Sequence, residues 1–342
     1  MQTGFSVSGA RITKEARRTV LRAAACATFG LLPALALTAQ AAYPDKPVRM
    51  VVGFAPGGGS DIVARLFAQR LGDALGGSFV VENKAGAGAM LGAEYVAKAP
   101  PDGYTLLVGT SAEMTISPPL YKRMPYRPDA DFVPIALLGI SPAILVANMD
   151  YAGKDLRDVV AEAKRSPGKL TIASGGAGTA PHLAAEQLKI LAGIDFAIAQ
   201  YKGAGPSQAD AVAGHVPLVF STIASALPLI QGKRLKPMAV ISPQRSTLLP
   251  EVPSTAELGF KNYAAVTWFG LFAPEHTPPA VVDALRKAVD QSLADPAVRG
   301  KLEAMGVEPS KPEEGGEALR KRVTAELANW TKVIKAAGIT AQ

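Results

Sequence analysis

Twice along the chain, a short β-rich run ends in a glycine-rich turn and passes at once into a helical pattern. The first case is Val48 to Phe54, then Pro56-Gly57-Gly58-Gly59-Ser60, then a helical stretch from Asp61 to Leu75. The second is Leu170-Thr171-Ile172-Ala173, a turn from Ser174 to Thr179, and a helix from about Pro181 to Leu191. Strand, tight turn and helix in that order make the half-unit of a doubly wound α/β sheet. In the first helix Ile62, Leu66 and Phe67 share a face, with Val63 and Leu71 nearby. Ser60 or Asp61 is placed to cap it. In the second helix Pro181 falls in the first turn, where its missing N–H has no partner to lose.

Both cases sit inside longer alternations. Phe79 to Glu82 reads as a strand, Gly86 to Lys98 as a glycine-opened helix, Pro101-Asp102-Gly103 as a turn, and Tyr104 to Val108 as a strand. The pattern then resets. A strand at Ala143 to Ala147 opens a second α/β unit over 142–267. Strands at Phe196 to Gln200, Val216 to Phe220 and Met238 to Ile241 follow, with a short helix at Ser207 to Ala213. From Pro278 onward the chain is helical. Val281, Leu285, Ala288, Val289 and Leu293 form one stripe, and Glu326, Trp330 and Val333 lie on the last helix. These helices have no strands of their own to cover, so they are expected to pack back on the first unit. That requires two crossings, near 140–145 and near 266–272. Two crossings make a hinge, and a hinge between two lobes makes a cleft. The expected division is lobe 1 at 42–141 plus 268–342, and lobe 2 at 142–267.

The first 41 residues differ in kind. Arg11, Lys14, Arg17, Arg18 and Arg22 make a basic start, followed by a small-apolar run from Ala23 to about Ala39. Ala39-Gln40-Ala41 has the small-x-small form of a cleavage site. This order marks a secretory signal cleaved after about Ala41. Arg17-Arg18-Thr19-Val20-Leu21-Arg22 resembles a twin-arginine signal, with Val20 where Phe is usual. Ordinary secretion would serve a cofactor-free protein equally well. The signal holds five of the 36 basic and one of the 29 acidic residues, leaving a net charge of +3 instead of +7. The basic balance is therefore poor evidence for nucleic-acid binding, and a mild positive charge suits an anionic ligand. The single cysteine, Cys26, lies within the signal, so neither disulfide, thiol nucleophile nor cysteine metal site is expected afterwards. No later apolar run is long enough to span a bilayer.

The two glycine turns carry the chemistry. Glycine lets peptide N–H groups approach a ligand, and the helix behind each turn adds unsatisfied donors and partial positive charge. Turns of that kind from two lobes facing one cleft make a carboxylate clamp. Other motifs do not fit. Gly57-Gly58-Gly59-Ser60 has no following Gly-Lys-Ser/Thr, and Gly86-Ala87-Gly88 with Gly92 misses the dinucleotide spacing. His182 and Glu186 stand four apart on a helix, but no second ligand cluster joins them, so no metal is expected. No Gly-x-Ser-x-Gly elbow is present, and no catalytic residue is expected. His182, at the cleft mouth, suits a ligand contact or a structural role. Arg65 suits a ligand carboxylate or an ion pair with Asp61. Trp268 and Phe269 suit packing at the second crossing, or the cleft wall.

The chain resembles the Bug receptors, the extracytoplasmic solute-binding proteins of tripartite tricarboxylate transporters. The resemblance rests on FAPGGGSDIVAR (Phe54–Arg65), PDGYTLL (Pro101–Leu107), DFVPIALLG (Asp131–Gly139), SPGKLTIASGGAGTAPHL (Ser166–Leu183), QYKGAGP (Gln200–Pro206), RSTLLPEVPSTAELGF (Arg245–Phe260) and WFGLFAPEHTPPAVV (Trp268–Val282). It implies a two-lobe fold like the type II periplasmic binding proteins. Each lobe is a mixed or parallel sheet flanked by helices, with two crossover strands as hinge. It implies closure around a carboxylate held by backbone amides, hydroxyls and bound waters. Carried over by position, the ligand loops are Pro56–Asp61 (Gly57, Gly58, Gly59, Ser60, Asp61), Ser111–Ala112, Ser174–His182 (Ser174, Gly178, Thr179, His182), Tyr201–Gly203 (Tyr201, Gly203) and Phe220–Thr222 (Ser221, Thr222). Family members often carry Asp at the position of Ser221, where it could pair with a ligand amino group. Its absence disfavours an amino-acid ligand and leaves plain or aromatic carboxylates open. Pro217 and Gln200 also depart from the usual acidic residue and proline.

What the resemblance implies is a periplasmic receptor, not an enzyme and without cofactor. It would take a di-, tri- or aromatic carboxylate and pass it to the membrane permease subunits of a tripartite transporter. It is expected to act as a monomer, with no nucleic-acid partner. A secreted hydrolase or a ligand sensor using the same cleft is the alternative, and turnover of the ligand separates the two.

Overall fold

A run of Val, Met and Val with one charged residue, Val48–Val52 (β1), is buried on both faces except at Arg49. Such a strand belongs in the middle of a parallel sheet. In the computed structural model, which describes residues 1–5, 43–312 and 314–337, it lies there. β1 pairs in parallel with Phe79–Asn83 (β2) and Thr105–Thr110 (β3). The connections are the helices Gly59–Leu75 (α1) and Met90–Ala97 (α2). Val63, Leu66, Phe67 and Leu71 of α1 are buried at helical spacing. α1 ends at Gly76 in the left-handed region, φ 69. After β3 come a π-helical turn at Ala112–Ile116 and a short helix, Ser117–Leu120 (α3).

The two lobes are joined by one long strand, Phe132–Asn148 (β4). Up to Pro142 it pairs with Val266–Pro274 (β9), which also pairs with β3. From Ala143 it pairs instead with Leu218–Thr222 (β7) and Leu235–Ile241 (β8). The second lobe holds Leu156–Arg165 (α4), Thr171–Ser174 (β5), Ala180–Ala192 (α5), Ala197–Gln200 (β6), Ala204–Val212 (α6) and Ile223–Gln231 (α7). There β6, β5 and β7 run parallel. The return crossing lies at the same level. The Ala265 N–H bonds to the Ile241 carbonyl and Ala265 accepts from Ala143, whereas Val266 pairs with Pro142.

The tail forms Pro279–Ala294 (α8), Pro296–Ala304 (α9), Glu308–Pro309 (β10) and Gly316–Ala337 (α10). Leu285, Ala288, Val289 and Leu293 join the core of β1 and α1. α10 is fixed by a polar contact as well: the Trp268 indole N–H donates to Glu326 at 2.8 Å, and the Thr115 hydroxyl donates to it at 3.0 Å.

Residues 132–142 turn out to be strand continuous with the expected Ala143–Ala147. α3, α4, α7 and the π-turn are additions. α7, IASALPLIQ, has Pro228 inside it and a first half that is buried on every side, Ser225 included, so it carries no amphipathic stripe to read. The export segment beyond residue 5, with Cys26 and the Ala41 cleavage point, lies outside the described residues. No helix among the described residues is long and apolar enough to cross a membrane.

Leu285 is fully buried and Leu191 is half exposed. Leu285→Ala should destabilise the protein by about 2–5 kcal/mol in urea unfolding, and Leu191→Ala by less than about 0.5 kcal/mol. Similar losses at both positions would contradict the placement of α8.

Candidate functional site

Four helices and the π-turn begin at one place. A cavity of about 60 Å³ lies between the lobes. The first lobe contributes Phe54, Gly58, Gly59 and Ser60 at the start of α1, Thr110 and Ala112 at the π-turn, and Thr267 and Phe269 from β9. The second contributes Gly175, Thr179, Ala180 and Pro181 at the start of α5, Ala204 at the start of α6, and Phe220, Ser221 and Thr222 before α7. No lining residue is charged. The space holds roughly four to six waters, taking about 10–15 Å³ for each.

A helix start offers peptide N–H groups with no intrahelical acceptor and a partial positive charge. The four starts differ in how far side chains satisfy them. Thr179 and Thr222 cap α5 and α7, accepting from His182 N at 3.2 Å and Ser225 N at 3.4 Å. Pro181 removes a further donor from α5. The caps of α1 and α6 are Gly58 and Gly203, which bring no side-chain acceptor. One uncapped helix start therefore faces the cavity from each lobe.

Of the residues singled out from sequence, Gly58, Gly59, Ser60, Ala112, Thr179, Ser221 and Thr222 line this cavity. Gly57, Asp61, Ser111, Ser174, Gly178, His182, Tyr201 and Gly203 surround it without lining it. Asp61 does not cap α1. Its carboxylate accepts from the Gly57 N–H at 3.1 Å, from Arg65 at 2.9 and 3.0 Å, and from Asn83 at 3.0 Å. Burial alone would raise its pKa, but these bonds together hold it below the ordinary carboxylate range. Arg65 is thus an internal ion pair on the turn. His182 Nδ1 accepts from the Gly178 N–H at 3.3 Å, and Nε2 lies 3.7 Å from Glu186. Burial lowers its pKa to about 4, so at neutral pH it stiffens the loop as an uncharged ring. The Tyr201 hydroxyl donates to Asp210 at 2.6 Å. Its ring lines a neighbouring cavity with Gly88, Ala177 and Lys202. The Ser111 and Ser174 hydroxyls are buried without a protein partner.

Ser221 belongs to a hydroxyl cluster: its Oγ is 2.8 Å from Ser225 Oγ and 2.8 Å from the Gln208 amide. In the amide orientation that satisfies both ends, Gln208 oxygen accepts from these hydroxyls and its nitrogen donates to the Ser225 carbonyl. The lobes touch beside the cavity. Ala55 N–H donates to the Lys202 carbonyl at 3.0 Å. A Cβ on Gly205 would press into the Pro56 carbonyl, so only glycine permits that approach.

Sequence reasoning missed Phe54, Thr110, Ala204 and Thr267. Thr110 had a readable signal. Thr110-Ser111-Ala112-Glu113 is a capping box: Ala112 N donates to Thr110 Oγ1 at 3.1 Å, and Glu113 accepts from Thr110 N at 2.8 Å and Thr110 Oγ1 at 2.6 Å. Glu113 is fully buried. Desolvation pushes its pKa up to about 7, against the bonds from Thr110 that favour its charged form. Among the described residues no cluster of three His, Cys, Asp or Glu gathers to hold a metal.

A sequence model described as the tripartite tricarboxylate transporter family receptor matches residues 63–339. A UPF0065 protein from the tcbD–tcbE intergenic region of Pseudomonas sp. strain P51 is 36% identical over 296 residues, covering 86% of this chain and 87% of its own length. The solved periplasmic binding protein BugD superposes with a TM-score of 0.84 at 34% identity, covering 88% of this chain and 100% of its own. MatC from Rhodopseudomonas palustris, solved with bound malate, gives 0.81 at 33% identity, covering 85% and 100%.

A folded-state pKa raised from 4.5 to about 7 means that the fold keeps a proton which the unfolded chain has already released. The resulting stability is complete below about pH 4.5 and is lost as pH rises through 7. Glu113→Gln should therefore be more stable than wild type at pH 8.5, on the order of 1–3 kcal/mol. Near pH 4.5 the two should be alike. Urea unfolding at the two pH values checks this; parallel pH profiles would refute it.

Proposed function

The chain belongs to the tripartite tricarboxylate transporter receptor family, and from that premise we propose that it captures a small carboxylate between its lobes for the permease subunits of such a transporter. The protein is a periplasmic solute-binding protein; its ligand class and its delivery role are the finer reading. One observation carries that reading: uncapped starts of α1 and α6 face a single uncharged cavity from opposite lobes. Peptide N–H groups at helix starts favour an anion, and the flanking Phe54, Phe220 and Phe269 favour a carbon skeleton beside it. The malate bound to MatC supports the same class. In this reading export removes residues 1–41. Lobe 1 (42–141 plus 268–342) and lobe 2 (142–267) then hinge at the two crossings. An acid bridging both lobes drives closure, because only a ligand with differential affinity can shift that equilibrium.

The test is a thermal-shift screen against malate, adipate and a panel of other carboxylates, with the bound acid recovered and checked by mass spectrometry for return unchanged. An acid at 100 times its Kd should stabilise by about 2.7 kcal/mol. Gly58→Phe should abolish the shift. Gly205→Ala, which leaves the cavity wall intact but obstructs the approach to Pro56, should weaken binding at least about tenfold, or about 1.4 kcal/mol. An unchanged shift in the Gly58 variant removes that turn from the site, and a chemically altered acid replaces the receptor with an enzyme.

Ser221→Asp would add a carboxylate to the cavity wall. It should weaken a dicarboxylate by about tenfold or more, since like charges in a poorly screened site repel, and should improve binding of an amino acid. Equal affinities in both proteins, measured by calorimetry, would reject the assignment of Ser221.

A further inference from the structure

We propose that capture of the acid is coupled to uptake of a proton by Glu113, so that the receptor takes up an anion and a proton together. This rests on the receptor reading and adds to it a buried group on the cavity's far wall. Thr110 and Ala112 wall the cavity, and Glu113 is the next residue of the π-turn, wholly removed from water. Among the described residues its carboxylate is hydrogen-bonded by the Thr110 N–H and hydroxyl. No cation is among the influences on it.

The neighbouring ionisable groups are engaged elsewhere. The Tyr126 hydroxyl donates to the Glu113 carbonyl, not to its side chain. On α10, Glu326 accepts from Thr115, Trp268 and Arg322. On α2, Glu94 pairs with Lys98. Tyr121, after α3, is shifted upward by burial alone. None of these supplies a positive charge to Glu113.

An acid entering the cavity brings a second negative charge next to the first, where solvent screens little. One of the two must then be neutralised. The acid is held by peptide donors, whereas Glu113 has no counter-ion among the described residues and is already displaced by burial toward its neutral form. The proton comes from hydronium or a protonated buffer molecule, whose O–H or N–H bond breaks as the Glu113 O–H bond forms, leaving water or the buffer base. While Glu113 is ionised, the Thr110 hydroxyl must donate to it. Once Oε2 is protonated, that O–H donates to Thr110 Oγ1, and the threonine proton is released to serve the acid. Affinity therefore falls as pH rises through the range in which Glu113 loses its proton.

Titration calorimetry with malate and adipate at pH 7.5, in phosphate and in Tris, measures the protons taken up. Wild type should absorb about three-quarters of a proton per acid bound and bind progressively more weakly from pH 6 to 8.5. Glu113→Gln should absorb none, and its affinity should be flat over that range. Binding by wild type without uptake overturns the coupling. Equal uptake by the Gln variant also overturns it, since the proton then sits on the acid. If the variant does not fold, the 13C carboxyl resonance of Glu113 in wild type must move to its protonated position on saturation, and a stationary resonance refutes the proposal. If no acid of the panel binds at any of these pH values, the receptor reading falls and the coupling with it, an outcome distinct from binding without uptake.

Discussion

Two helix starts without side-chain caps, α1 behind Gly58 and α6 behind Gly203, set what the cleft can do. Most helices use a Ser, Thr, Asp or Asn to satisfy the first-turn amides, as Thr179 and Thr222 do for α5 and α7 in the same wall. At α1 even the available acid, Asp61, is drawn back to the Gly57 N–H and to Arg65. The glycines also let the two starts approach, for Gly203 and Gly205 pack against Ala55 and Pro56 across the cleft. In the proposed reading, ligand donors and lobe contact come from the same short segments, which would tie occupancy of the cavity to the position of the lobes.

The repeated strand–turn–helix units were legible because each carries two independent signals, a β-rich run and a glycine turn before an amphipathic helix. The tail helices were legible for a similar reason: Leu285, Val289 and Leu293 sit at helical spacing with no sheet of their own to cover. β4 was half legible. Its second part reads as an apolar run, whereas Pro134 and Pro142 obscure the first part, and only pairing with β9 explains how they are tolerated. α7 has no polar face to betray its period. The start of α6 was placed three residues late because Gly205 and Pro206 look like loop, although proline is acceptable in a first turn. The site followed the same rule. Glycine bends marked Gly58, Gly59 and Ser60, and a capping box marks Thr110, but Thr267 reaches the cavity through a sheet register that no local pattern encodes.

The π-turn links the cavity to the rest of the first lobe. Its Thr110 and Ala112 face the cleft. Its Thr115 joins Trp268 in holding Glu326 of α10, and Tyr126 fastens the Glu113 carbonyl. One face of five residues is therefore tied to the site and the other to the C-terminal helix. π-turns are rare and recur at functional positions. Here the turn carries a carboxylate that burial alone would render neutral, and a structural capping box would not by itself require the whole side chain to leave water.

Why would the proposed anion site be built from peptide dipoles when Arg65 stands one helical turn away? A buried guanidinium facing a carboxylate gains strong attraction but must lose its hydration, and removing the partner leaves an uncompensated charge in the interior. A carrier has to release its cargo, so its empty state must also be tolerable. A helix start contributes about 0.3–2 kcal/mol to an anion beside it and carries no full charge to strand when the acid departs. Pairing Arg65 with Asp61 removes a competing cation and fixes the turn. The remaining attraction is modest per contact and is realised in full only when donors from both lobes reach the same acid. In the proposed reading, selectivity then comes from shape and from the hydroxyls of Ser221 and Thr222, not from net charge. This agrees with a chain whose balance, once its export segment is set aside, is only mildly positive.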